Sequence, residues 1–340
     1  MNARGGGETG TTLERSTGAL VGLALGDALG MPTQELTRPE IIEHFGPLVT
    51  TFEAPLADHP FAAGLAPGTV TDDTEQALLV AALLIECAGG FDPTIFAQRL
   101  LEWEADVARR GLMDLLGPST KRALLNLERG MDIGESGRYG TTNGAAMRVG
   151  PVGVVRASAD LVALVDLVVS VSALTHNTDV ALGAACAVAG AVSAGIDGAS
   201  VDDAIALALR AAALGEQRGF ATAGASIVSQ IERAVQLGRS TDGAVLIERI
   251  GSAIGTSLAS SESVPAAFAV LAAYPDDAWR ACGVGASLGG DCDTIAAMTG
   301  TMIGACLGVD AFPSWAVEKV QIVNGLALVD VARRLLGLRR

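Results

Sequence analysis

Aromatic side chains are scarce: they make up 4% of the 340 residues, while half of the chain is hydrophobic. Any core is therefore built from Ala, Leu, Val and Ile rather than from rings, a mixture that suits closely packed helices. Basic residues are also short, with 23 Lys and Arg against 38 Asp and Glu for a net charge of −15. That field repels phosphate backbones, and no Lys/Arg stripe interleaved with aromatics runs along the chain, so nucleic acid is not an expected partner. An anionic small ligand stays open, because bound divalent cations reverse a local potential. The five cysteines, Cys87, Cys186, Cys282, Cys292 and Cys306, form no CxxC pair, and the histidines are only His44, His59 and His176. A disulfide framework and a Cys/His zinc site are both disfavoured, and a reducing, cytoplasmic location is expected.

Targeting and membrane signals are lacking as well. The first apolar stretch, Leu20 to Met31, carries Asp27 in its middle and has no basic flank or cleavage pattern. The run from Val180 to Ile196 approaches the length of a membrane span, yet it is mostly Ala and Gly, and the mean hydropathy of +0.42 is spread along the chain. A buried helix explains it better than a membrane anchor. No Pro-, Ser- or charge-rich stretch divides the interior, so residues 13–340 are expected to form one domain behind a mobile Gly/Thr-rich tail, residues 1–12.

What is present is helical periodicity. From Leu13 onward apolar residues recur at helical spacing between short Gly, Pro, Asp or Ser breaks. Asp72 with Glu75 forms a capping-box pattern before EQALLVAALLIECA, and Gly89-Gly90 closes that helix. Asp92-Pro93, Thr178-Asp179 and Ser200 with Asp203 open further helices. The one strand-like run, VGPVGVV from Val149 to Val155, has no period-two partner. The expected fold class is all-α, a compact orthogonal multi-helix array with no fixed-period repeat.

The chemistry concentrates in a few polar segments. In TDDTEQALL, Thr71, Asp72 and Asp73 stand at a helix entrance, where carboxylates alone read as caps stabilised by orphan N–H groups and the helix dipole. Far along the chain GGDCDTIAAMTG repeats the design: Gly289 and Gly290 permit an unusual backbone before Asp291, Asp293 and Thr294. Two such acidic entrances shift the balance to a metal site, since these are hard oxygen ligands suited to Mg²⁺ or Mn²⁺. The spacing lets Asp291 and Asp293 point one way while Cys292 points elsewhere. Spacing alone leaves one ion or two open.

Two more segments, GLALGDALGMPTQE (Gly22 to Glu35) and TNGAAMR (Thr142 to Arg148), lie in order with these and with THN, Thr175 to Asn177. The set resembles the ADP-ribosylglycohydrolase family from about Ser16 to Leu336, in the order GDAxG, TDDT, NGxAMR, a lone His and GGDxDT. The resemblance implies a metal-binding cleft with two Mg²⁺ or Mn²⁺ ions held by Thr71, Asp72, Asp73, Asp291, Asp293 and Thr294. It places a ribose-and-phosphate cradle at Asn143, Gly144, Ala145 and Ala146 and a ligand-facing His at His176. Beside it stand plainer readings: a helix-entry turn for Asn143-Gly144, a hydrogen-bonded structural group for His176, core filling for Met147, and a tie to a loop carboxylate for Arg148. Asp27, inside an apolar helix, must be hydrogen-bonded or lie near the cations.

One position departs from the family pattern. Many relatives carry Glu four residues after the second Gly of GDAxG, where this chain has Gln34 and then Glu35. Gln cannot ionise, so either Glu35 serves as the catalytic carboxylate through a shifted loop, or Asp72, Asp73, Asp291 and Asp293 with their metals activate water unaided. A one-residue shift turns a side chain away unless the backbone compensates, which favours the second option. The resemblance implies hydrolysis of a ribosyl glycosidic bond, with ADP-ribosylated protein such as ADP-ribosyl-arginine as the default substrate. A smaller ribosyl compound such as a nucleoside is the alternative, as is a crystallin-like or ADP-ribose-binding protein without turnover.

Overall fold

A computed structural model describes the backbone of residues 6–110 and 117–340, and side chains from residue 11 onward within those ranges. Among the described residues every regular element is a helix, and only two isolated bridges, Thr142 with Ala259 and Thr178 with Phe220, pair extended backbone. The all-α expectation is met. The first helix spans Gly6–Gly30, so helix reaches back into the segment expected to be a tail; residues 1–5 lie outside the described residues. Val149 to Val155 forms no strand, and Gly150–Val155 is a short, fully buried helix.

The caps mostly follow local chemistry. Asp92 accepts from the N–H groups of Thr94 and Ile95 with Pro93 behind it, Thr178 accepts from Ala181, and Ser200 from Asp203. The capping box at Asp72 does not form. Thr71 is the N-cap of the Asp72–Glu86 helix, and Glu75 is drawn off to Trp103 Nε1 at 2.5 Å and to both terminal nitrogens of Arg110 at 2.9 and 2.8 Å. A charge-assisted fork outcompetes a bond back to one amide.

The core rests on small residues. The Asp179–Ile196 helix passes the length and composition test for a membrane span, but 89% of it is buried inside the protein. It packs against the Val201–Gly215 and Cys292–Leu307 helices. The longest packing joins the first helix antiparallel to Cys292–Leu307. Along that seam Gly18, Gly22, Gly26 and Gly30 face Gly304, Gly300, Ala296 and Asp293 in turn, and a Cβ on any of the four glycines would overlap the opposing backbone. The absence of side chains lets the two backbones touch, which brings the end of the first helix against the start of the GGDCDT helix.

Candidate active site

The site is assembled where three helix ends meet. Asp27, wholly buried near the end of the first helix, accepts from Thr71 N–H at 3.0 Å, Thr71 Oγ at 2.8 Å, Thr74 N–H at 3.1 Å and Thr74 Oγ at 2.5 Å. It therefore satisfies orphan donors at the start of the Asp72–Glu86 helix from outside that helix. This relieves Asp72 and Asp73 of the capping role that their position alone implied. Asp73 Oδ1 is buried with no hydrogen-bond partner.

The second acidic segment is shaped by its glycines. Gly289 and Gly290 adopt φ of 87° and 68°, conformations that glycine takes without cost, and Asp291 N–H then donates to the Thr256 carbonyl at 2.8 Å. Asp291 is the N-cap of Cys292–Leu307, and its side chain accepts from Asn143 Nδ2. Thr294 Oγ lies 3.2 Å from Asp73 Oδ2 and 3.3 Å from Asp291 Oδ1. One hydroxyl proton thus bridges the two acidic segments and satisfies only one of them at a time. Asp293 Oδ1 is likewise buried without a partner. Cys292 turns the other way, with Sγ 3.3 Å from Thr33 Oγ.

The electrostatics are lopsided. Burial, ahead of the hydrogen bonds that oppose it, pushes Asp27 and Asp291 up to about 6. Burial followed by neighbouring carboxylates raises Asp72, Asp73 and Asp293 well above the ordinary range; for Asp73 the foremost neighbour is Asp293. Five carboxylates thus share one region, Asp27, Asp73 and Asp293 buried and Asp72 and Asp291 half-buried, and the donors are all hard oxygens. Among the described residues, no three acidic, thiol or imidazole groups already converge as a ligand cage.

A cleft of about 180 Å³ opens above this cluster. Asp72, Asp291, Asp293 and Thr294 line it, while Thr71 and Asp73 lie behind, 3% and 1% exposed. Gln34 and Glu35 both line it as well. The backbone does compensate for the shifted loop: Glu35 has φ of 60°, a left-handed conformation that costs a non-glycine residue about 1 kcal/mol or more. Its N–H donates to the Gly290 carbonyl at 2.7 Å, and Gly290 N–H donates to Leu36 O at 2.9 Å. This two-bond clasp fixes Glu35 beside the Asp291 segment, close enough for its charge to raise Asp291.

Of the residues expected to form a cradle, only part reaches the cleft. Asn143 and Gly144 line the cleft, but Ala145, Ala146 and His176 do not; the first two are buried under the surface at 0% and 1% exposure. His176 is fully buried, with Nε2 at 2.9 Å from Thr142 Oγ and Nδ1 at 2.7 Å from Thr175 Oγ, and it underlies Gly144, whose absent Cβ would sit 3.0 Å from Cε1. Among the described residues Arg148 ties no loop carboxylate. It donates to Gln76 Oε1 at 3.0 Å and Thr175 Oγ at 2.5 Å and stacks on Phe96, and Gln76 in turn donates to Asp72 at 3.3 Å. Sequence reasoning missed the cleft walls formed by Phe61 and Leu258, in loops, and by Thr120, in the first turn of the Pro118–Glu128 helix, none of which carries a motif.

Comparison with known proteins agrees with this architecture. A family model described as ADP-ribosylglycohydrolase matches residues 8–340. The chain is 35% identical to the uncharacterized protein YegU of Escherichia coli K12 over 92% of this chain and 93% of that one. It is 29% identical to the ADP-ribosylarginine hydrolase Tri1 of Pseudomonas putida over 91% and 74%. A solved ADP-ribosylglycohydrolase-related protein complex superposes with a TM-score of 0.71 at 24% identity, covering 97% of this chain and 99% of that one, and shares its fold. This chain belongs to the ADP-ribosylglycohydrolase family, whose members are hydrolases of ADP-ribosyl linkages.

Proposed function

We propose that this protein hydrolyses the glycosidic bond at the anomeric carbon of a ribosyl group, using two Mg²⁺ or Mn²⁺ ions held by Thr71, Asp72, Asp73, Asp291, Asp293 and Thr294. The observation that carries the metal reading is the pair of buried carboxylate oxygens without partners, Asp73 Oδ1 and Asp293 Oδ1, inside a cluster of raised-pKa carboxylates. Buried acceptors left unsatisfied are costly unless a cation completes them. Divalent ions bound there supply positive charge that offsets the carboxylates and polarises ribose and water oxygens.

The chain's own groups then divide the work. Asn143 holds Asp291 in place, and Gly144 keeps the cleft wall flat enough for a sugar. Glu35 accepts a proton as a water oxygen bonds to the anomeric carbon and the bond to the leaving nitrogen or oxygen breaks. Gln34 offers an amide to a hydroxyl. ADP-ribosyl-arginine is the first substrate to try, in keeping with the activity named for the Pseudomonas relative.

A smaller ribosyl compound is the second reading. At about 180 Å³ the cleft is below the roughly 300–1,000 Å³ that buries a drug-sized ligand. No Lys or Arg stands among its described lining residues to meet a diphosphate. The test is a metal-supplemented screen of ADP-ribosyl-arginine, other ADP-ribosyl adducts and nucleosides, with the released ribosyl product identified. Metal uptake with no hydrolysis across the screen would replace catalysis with a binding role.

A further inference from the structure

His59 lies outside every segment that drew attention in the sequence, yet it is 4% exposed and reaches the backbone of the catalytic loop. Its Nδ1 lies 3.2 Å from Phe61 N and 3.0 Å from Ala62 N. Both are amide donors, so Nδ1 accepts and carries no proton. The imidazole proton is then on Nε2, which donates to the Gln34 carbonyl at 3.0 Å. Burial lowers the pKa of His59, in keeping with a neutral ring.

That carbonyl belongs to the peptide unit that enters Glu35. The N–H of the same unit donates to Gly290 O at 2.7 Å. One peptide plane is therefore gripped from both sides, by His59 at the oxygen and by the Gly290 carbonyl at the nitrogen. Its orientation sets the φ of Glu35, the 60° that turns the side chain into the cleft. Without the grip, the peptide is free to rotate toward the ordinary right-handed or extended region, and the carboxylate leaves the cleft. The imidazole also seats Phe61, which lines the same cleft.

We propose that His59 is a positioning residue: its Nε2–H, fixed as the donor by the Phe61 and Ala62 amides, holds the Gln34–Glu35 peptide so that Glu35 faces the substrate. This rests on the role given above to Glu35.

Two measurements test it. Nitrogen-15 NMR of the native protein should show His59 as the neutral Nε2–H tautomer, a readout that needs no substrate. His59→Asn keeps an acceptor for the two amides at Oδ1 but falls short of Gln34, and should lower kcat on ADP-ribosyl-arginine with Mg²⁺ by about 10-fold while KM and Mg²⁺ uptake stay within about twofold. His59→Gln, whose Nε2 reaches the same place, should recover part of that loss. In a Glu35→Gln background, His59→Asn should change kcat by less than about twofold, because the group it positions is already gone. An Nδ1–H tautomer, or equal losses in both backgrounds, would overturn the role of His59 alone. A Glu35→Gln enzyme with unchanged kcat would overturn the role of Glu35, and this one with it.

Discussion

Removing divalent ions from the protein and raising the pH should destabilise it, and adding the ions back should reverse the trend. Asp27 and Asp291 are pushed from 3.8 to about 6 by burial. Between those values the native metal-free protein retains protons that the unfolded chain has released. The stability these groups contribute is fully present below pH about 3.8 and lost as pH rises through about 6. Two pKa units correspond to about 3 kcal/mol for one such group. The groups belong to one interacting cluster, so their losses do not simply add. Urea unfolding of chelator-treated protein from pH 4.5 to 7.5 covers about 1.5 of those units and should thus show stability falling by about 2 kcal/mol or more. Excess Mg²⁺ or Mn²⁺ binds the deprotonated carboxylates and stabilises by mass action, so its benefit should grow across the same window. Metal-free stability that is flat or rises between pH 4.5 and 7.5, or an ion effect equal at both ends, would refute the assignment of Asp291 and the aspartates around it to a cation site.

Three further outcomes are expected. Asp72→Ala or Asp291→Ala should abolish turnover and weaken metal uptake in calorimetric titration while leaving the circular-dichroism helix signal near that of the parent, because Thr71 and Asp27 cap the first of these helices; metal affinity unchanged in both would return the aspartates to structural roles. Glu35→Gln should reduce kcat by about 10²-fold or more, whereas Gln34→Ala should act mainly on KM, and steady-state kinetics with metal content checked would separate them. Gly300→Ala should cost about 1–3 kcal/mol or more by overpacking, since its Cβ would overlap the Gly22 carbonyl, and should weaken metal uptake by shifting Asp293; native stability in urea would show that the seam is looser than described.

Periodicity and caps determined much of this protein by themselves. The scarcity of aromatics, the helical spacing and side-chain caps such as Asp92, Thr178 and Ser200 are local signals, and the all-α class is legible because each acts within a turn or two of its own position. The acidic residues stood out for a chemical reason, since two separate runs of hard oxygen donors at helix starts are more than capping two helices calls for. Tertiary structure decided what those residues could do. Asp27 caps a helix more than forty positions away, which frees Asp72 and Asp73, and the glycine seam that brings Gly30 against Asp293 depends on two backbones meeting. The placement of His176 behind Gly144, and the left-handed turn that returns Glu35 to the cleft, were beyond sequence reasoning. A side chain's direction there depends on one φ angle, and that angle is held by His59 and Gly290, partners that only the folded chain brings together.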